Sequence, residues 1–345
     1  GGHVVRSIHN PWGTGKNVIL LGGSDDAGVA AATDAFLRAC APKTVAPRQG
    51  DQSKIQNPKS KIGNLSVGWL MDIRLGRGLR EEMESKPHYR GPICDGGFKY
   101  YFSGEEKYGK IYREALLGRT RMVDPFDLSH IWFWEPLALW DLLEESPIFS
   151  NQDRLLITNL FLQWIESHEG RNFAGFRDDL RRGNLSQPHR TSPALACFFG
   201  GRYFRKYYGL KQTSAWFADA KKYFAPQTIS SKTIDEPEGC TAESLGCGGL
   251  MTYAFASGDF TCFENGTIRE AADRVAMCCN NLGVMAAYAD TIAFYPVPSD
   301  FFCRAAHHYR DGDYEFMARM RTPWRGGCKP VWREYDHPTP AFHTD

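Results

Sequence analysis

Apolar and polar positions follow two regimes along this chain. Near the N-terminus a short continuous apolar run, NVILLGG from Asn17 to Gly23, reads as a buried strand. The next segment, SDDAGVAAATDAFLRA, has helical spacing with Ser24 or Asp25 as N-cap. Strand, turn and helix make one unit of an α/β layer. Residues 43–65 are polar, with Lys, Gln, Pro and Ser prominent, and read as a loop; LSVGWLMDIRLG then returns as a strand.

From about residue 98 the spacing is helical, segment after segment. YYFSGEEKYGKIYREALLG carries a capping box, Ser103 with Glu106, and a stop at Gly118. EPLALWDLLEES places Pro136 in a first turn. NQDRLLITNLFLQWIESH, SPALACFFGGRYFRKYYG, SAWFADAKKYFA and AESLGCGGLMTYAFASG follow. The next pattern, TIREAADRVAMCCNNLGVMAAYAD, has a second capping box, Thr267 with Glu270, and puts Asn280 and Asn281 late in a long helix. Several of these helices are apolar around most of their circumference, as suits helices packed on two sides. The expected fold is mainly α: a small α/β module over residues 1–90, then an (α/α) toroid-like domain of helical hairpins over 91–345. The absence of a fixed-period repeat weakens the alternative, a solenoid. About nine helices follow residue 98; a closed ring of six hairpins needs two for each, so the ring is open or continued beyond Asp345.

Composition narrows the function classes. The formal net charge is +1, which argues against a dedicated nucleic-acid surface. No apolar run approaches a membrane span. The ten cysteines show neither a CxxC pair nor zinc spacing, and leave the redox compartment open. Cys278 and Cys279 are neighbours and are not expected to bridge each other. GTGK, Gly13 to Lys16, precedes its strand and lacks the rest of a phosphate loop, and GGSDDAG is not a dinucleotide fingerprint. His307 and His308 are adjacent and diverge on a helix, so they make a poor metal pair; no cofactor is expected, and a divalent cation is left open without being indicated.

Candidate chemistry concentrates in RRGNLSQPHRTSPALACFF, Arg181 to Phe199. Asn184 and His189 precede a helix that starts at Ser192 and Pro193. A helix N-terminus attracts anions, and its field disfavours imidazolium, which leaves His189 neutral and able to accept a proton. Arg182 and Arg190 are suited to bidentate carboxylate binding. These parts suit a site that receives an acidic ligand and removes a proton from it; the plain alternative is a surface loop with a capping Asn. Asp235, Glu236, Glu238 and Glu243 crowd the segment before Tyr253, a candidate proton donor or acceptor, although such charge runs are usually solvated and such tyrosines usually core. Trp132 and Trp134 beside Glu135 suit pyranose stacking as well as a helix core.

GNLSQPHRTSPALACFFGGRYFRKYYGL resembles the Asn/His region of the toroid-fold polysaccharide lyases that act on uronic-acid polymers, and HIWFWEPLALWDLLEESPIFSNQDRLLITN resembles their helical hairpins. The N-terminal unit is similar to small α/β modules that precede catalytic domains in carbohydrate-active enzymes. The resemblance implies β-elimination on an acidic polysaccharide in a secreted or periplasmic enzyme. Asn184 would neutralise the substrate carboxylate, His189 and Tyr253 would serve as base and acid, and Arg182, Arg190, Trp132, Trp134 and Glu243 would bind substrate. The chain departs from the family in separating its Asn and His by five residues. A toroid glycoside hydrolase using Glu135 or Asp141 with one of the clustered acids is the runner-up. A non-catalytic glycan-binding protein is the third reading.

Overall fold

A computed structural model of the chain describes residues 2–8, 17–40, 71–75, 80, 91–120, 134–166, 171–185, 188–230, 246–280, 283–286 and 297–320. GTGK, Trp132 and the acidic segment with Glu243 lie outside them. Of the described residues 72% are helical, and their one sheet has three strands, so the chain is mainly α with a small sheet near its N-terminus. The chain divides into two compact units, Gly1–Arg121 with Leu139–Thr158, and Met122–Ala138 with Asn159–Asp345.

The sheet of the first unit is antiparallel in the order β2-β1-β3, with β1 His3–Ile8, β2 Val18–Gly23 and β3 Met71–Arg74. The two strands expected from sequence are its edges, and β1, the central strand, was not among them. Val5 on β1 packs into a core with Ala32 and Ala35 of α1 (Asp26–Cys40). Asp25 caps α1 as expected, its Oδ1 accepting from the Gly28 amide at 2.7 Å. The glycines of GGSDDAG serve this turn. A Cβ on Gly23 would lie 2.2 Å from the Val29 nitrogen, and one on Gly28 would lie 2.3 Å from the Gly2 carbonyl oxygen. Arg6, next along β1, is also buried; its guanidinium stacks 3.6 Å from the Tyr101 ring centroid and donates to the Tyr101 carbonyl.

Tyr101 belongs to α2 (Gly91–Ser103), which forms a hairpin with α3 (Glu106–Arg119). Ser103 ends α2 instead of capping α3: its hydroxyl donates to the Lys99 carbonyl at 2.6 Å and accepts from the Glu105 amide at 3.1 Å. Gly104 at φ +71° makes the turn, and α3 continues past Gly118. A Cβ on Gly96 would sit 2.9 Å from the Tyr112 backbone nitrogen, so α2 and α3 touch backbone to backbone there. Tyr112 is wholly buried, with Phe149 edge-on to it at 6.0 Å and to Trp140 at 5.0 Å.

In the second unit, α4 (Trp134–Leu143) supplies its residues through Ala138 and α5 (Asn151–Glu166) its residues from Asn159. The helices α6 (Arg171–Arg182), α7 (Thr191–Tyr208), α8 (Thr213–Phe224) and α9 (Gly246–Ser257) follow. Helix α6 was not expected; Phe173, Phe176 and Leu180 form its buried stripe. Every residue of α7 from Thr191 to Cys197 is buried. Gly209 ends it at φ +62°, as the sequence suggested.

The remaining helices are α10 (Thr261–Glu264), α11 (Thr267–Met277), α12 (Ser299–Tyr309) and α13 (Gly312–Arg319). Helix α11 stops at Met277, well short of the long helix expected. The Asn280 side chain accepts from the Val284 amide at 3.1 Å, Gly283 adopts φ +72°, and Cys279 pairs with Met285 in an antiparallel bridge. Asn280 hydrogen-bonds the backbone in a turn, which competes with helix continuation. Thr267 makes no side-chain cap either; Gly266 at φ +85° holds the N-cap position.

Gly96→Ala should lower stability in urea denaturation, because overpacking of about 1–3 kcal/mol exceeds a propensity gain of about 1 kcal/mol. Gly118→Ala, with nothing within 4 Å of the added Cβ, should instead raise stability by about 0.5–1 kcal/mol. His308 lies 4.2 Å from the Phe263 ring and 5.2 Å from that of Phe260. Its pKa is lowered from 6.5, mainly by burial, with Glu264 opposing and His307 adding to the shift. The unfolded chain therefore binds this proton more readily, and the contribution of neutral His308 is present above pH 6.5 and lost as pH falls through the lower folded value. Thermal melts of His308→Phe should lose stability less steeply than wild type on acidification below pH 6.5.

Candidate functional site

The Arg181–Phe199 segment is built on two helices and the turn between them. Helix α6 ends at Arg182, and Gly183 at φ +75° turns the chain so that the Asn184 amide donates back to the Asp179 carbonyl at 2.9 Å. Pro188–Arg190 form a 3-10 turn that runs into α7 without a break, Arg190 being at φ −93°, ψ −8°. Thr191 and Ser192 are wholly buried, and the Thr191 hydroxyl meets the Tyr223 hydroxyl at 3.0 Å. The expectation of an N-cap at Ser192 and an anion-receiving helix start is therefore corrected. The first residues of α7 face the interior, and no side chain caps them.

The organising group is Asp179, a residue that the sequence reading passed over. Its Oδ2 accepts from Arg190 Nε at 2.5 Å and its Oδ1 accepts from Asn184 Nδ2 at 3.4 Å. The Arg190 and Asp179 side chains keep only 22% and 15% of their exposure, so this ion pair is partly buried and stronger than a surface pair. The guanidinium lies flat on α6 at Gly175, where a Cβ would come within 2.6 Å of an Arg190 Nη. Among the described residues no hydrogen bond engages the Arg190 Nη groups. His189 precedes Arg190 in the 3-10 turn and is half-buried, with its Nδ1 shielded from solvent.

Arg182 is not part of this group. It pairs with Asp178 at 2.7 Å, as Arg181 does at 3.0 Å, and both arginines are largely exposed. Hydrogen bonding from Arg181 holds the Asp178 carboxyl below its ordinary range, helped by the charges of Arg182 and Arg190.

Tyr253 stands in an aromatic cluster of α7, α8 and α9. Its ring stacks on Phe224 at 4.4 Å and meets the edge of Phe198 at 5.3 Å. Burial raises its pKa, and the nearby Asp259 adds to the rise. Phe224 in turn contacts Tyr223, whose hydroxyl reaches Thr191. Tyr253 is thus linked to the first residue of α7 through two aromatic contacts and one hydrogen bond. Trp134 stacks on Phe199 at 5.1 Å with the planes 16° apart, and the Arg202 guanidinium lies 4.9 Å from the same Phe199 ring. Glu135, the hydrolase candidate on α4, is buried.

The structure therefore brings together Asn184, Arg190 and the unforeseen Asp179, next to His189 in sequence and turn. It gives Arg182 a separate partner. Asp179 could have been suspected as the acid eleven residues before Arg190 on the same face of α6 as Gly175, had α6 been recognised. Comparison with protein-family models, with curated proteins and with solved structures finds no match to this chain.

Arg190→Ala removes the donor from a partly buried carboxylate and should cost about 1.5–3 kcal/mol in chemical denaturation. Gly175→Ala should also destabilise, by displacing the guanidinium. In a double-mutant cycle with Arg190→Ala the two losses should be less than additive, because both act on one contact.

Proposed function

We propose that this chain is a polysaccharide lyase that cleaves an acidic, uronic-acid-containing polymer by β-elimination, with the helices from Gly91 onward arranged as an (α/α) toroid. The observation that carries the reading is the convergence of Asn184 and Arg190 on one carboxylate, that of Asp179. Asp179 holds Arg190 through Nε, which leaves the Nη groups to meet a substrate uronate with Asn184 close by. The helical hairpins α2–α3, α7–α8 and α12–α13, each joined by a short connection, support the toroid arrangement.

In this reaction Arg190 Nη and the Asn184 amide donate to the uronate carboxylate. Neutralising that group acidifies the proton on the adjacent ring carbon and stabilises the enolate-like charge that develops as it leaves. His189 takes the proton. Tyr253 gives a proton to the departing glycosidic oxygen. Trp134 and Arg182 contact flanking sugars. The substrate is extracellular, which agrees with a secreted or periplasmic enzyme.

Incubation with alginate, glucuronan, heparin and hyaluronan, followed by ultraviolet absorbance of the unsaturated product, tests this directly. At least one polymer should give the chromophore. His189→Ala and Tyr253→Phe should each reduce the rate by about 10²–10⁴-fold while circular dichroism stays unchanged. Arg190→Lys should raise KM and lower kcat, since Lys cannot reproduce the planar donor pair. New reducing ends without the chromophore would transfer the activity to a hydrolase using Glu135. Binding without turnover, indifferent to His189→Ala, would make the chain a glycan-binding protein.

A further inference from the structure

Beyond the Asn184–Arg190 region, the turn between α10 and α11 carries a reactive pair that its own geometry selects. The chain holds one Asn–Gly dipeptide, Asn265–Gly266, and it forms this turn. Asn265 follows α10 at φ −86°, ψ 1°, and Gly266 adopts φ +85°, ψ −1°. A positive φ of this kind selects glycine. Glycine also shields a preceding asparagine least, because it places no Cβ beside the backbone nitrogen that can attack the asparagine side chain. The residue that the turn needs is therefore the one that leaves Asn265 open to cyclisation.

Asn265 is exposed, yet its side-chain amide is held at both ends. Nδ2 donates to the Thr228 carbonyl, just beyond α8, at 2.8 Å. Oδ1 accepts from the Thr267 amide at 3.0 Å, and Thr267 is the buried first residue of α11. The Gly266 amide donates to the Phe263 carbonyl at 3.3 Å. Asn265 thus ties the end of α8 to the start of α11. Both nitrogens that ring closure would use, Nδ2 and the Gly266 nitrogen, already have an acceptor.

We propose that Asn265 is a deamidation site gated by the fold: the closed turn keeps the amide, and opening of the turn exposes it to attack by Gly266. In that step the Gly266 nitrogen loses its proton and bonds to Asn265 Cγ. The Cγ–Nδ2 bond breaks, and Nδ2 leaves as ammonia with that proton. Water then opens the succinimide, at Cγ to give aspartate or at the backbone carbonyl to give isoaspartate, with no change of oxidation state. Either product replaces the Nδ2 donor with a carboxylate oxygen, so the Thr228 carbonyl loses its partner. Isoaspartate also adds one carbon to the main-chain path where α11 begins. The site is independent of the lyase reading, and neither depends on the other.

Incubation of the full chain in mildly alkaline buffer, folded or unfolded in guanidinium chloride, tests the gate. Peptide mass spectrometry reads the conversion of amide to acid at Asn265. Conversion should be at least about tenfold slower in the folded chain, because the reaction waits for local opening. In the denaturant, where strain at positive φ has no bearing, Gly266→Ala should slow it by at least about tenfold. Asn265→Asp carries the product from the start and should unfold at a lower urea concentration than wild type. Equal rates in folded and unfolded chains, no conversion in either, or an Asn265→Asp midpoint equal to that of wild type would overturn the proposal.

Discussion

The second unit depends on one constraint: α7 has almost no face to turn to water. Seven consecutive residues, Thr191 to Cys197, are buried, and so are Phe199, Gly200, Gly201, Tyr203 and Phe204. A helix of this kind is stable only if neighbours cover it all round. Helices α6, α8 and α9 do so. The pair Gly200–Gly201 makes close cover feasible. A Cβ on Gly200 would meet Ile165 at 2.3 Å, and one on Gly201 would meet the Phe217 ring at 3.2 Å. Because α7 begins buried, the chain must enter it from inside. The 3-10 turn at Pro188–Arg190 is that entry, and it directs Arg190 along α6 to Asp179. The geometry of the proposed site is thus a by-product of how a helix with a buried start is entered.

Charge in this region is paired locally. Arg190 meets Asp179, Arg181 and Arg182 share Asp178, and Arg269 on α11 meets Asp311 while lying 4.2 Å from the Tyr309 ring. With a net charge of +1 the protein projects little long-range field. An acidic polymer would be recognised through short donor contacts at Asn184 and Arg190, with Asp179 holding Arg190 by Nε alone. Affinity of that kind tolerates salt better than binding driven by a basic groove.

What could be read from sequence depended on whether a local signal faced competition. Asp25 before α1, Pro136 in α4 and Gly209 after α7 act through their own backbone geometry, and each stands where expected. Strand β1 escaped because Arg6 occupies an inner position and is buried against Tyr101, a partner ninety-five residues away. Helix α6 has the 3.6-residue stripe Phe173, Phe176, Leu180, but its arginine-rich end reads as loop until the Asp178 pairs are known. Ser103 and Asn280 departed from the expected helices for one shared reason: each short polar side chain bonds backbone groups a few residues away, Lys99 and Glu105 for Ser103 and Val284 for Asn280. Asn184 and Arg190 could be picked out by residue type; Asp179, which joins them, required the fold.

Within the proposed elimination, the environments of the two proton-handling residues divide their roles. Tyr253 lies against Phe224 and Phe198, and burial together with Asp259 raises its pKa above the ordinary tyrosine value. Such a phenol keeps its proton at neutral pH, and removing it before reaction would be steeply uphill. Within the proposal it is still protonated when the leaving oxygen gains charge. An imidazole needs no such prior ionisation to act as base. His189 is the neighbour of Arg190 in the 3-10 turn. Within that proposal, a phenol whose pKa burial raises is the protonated partner, and this is what favours base at His189 and acid at Tyr253.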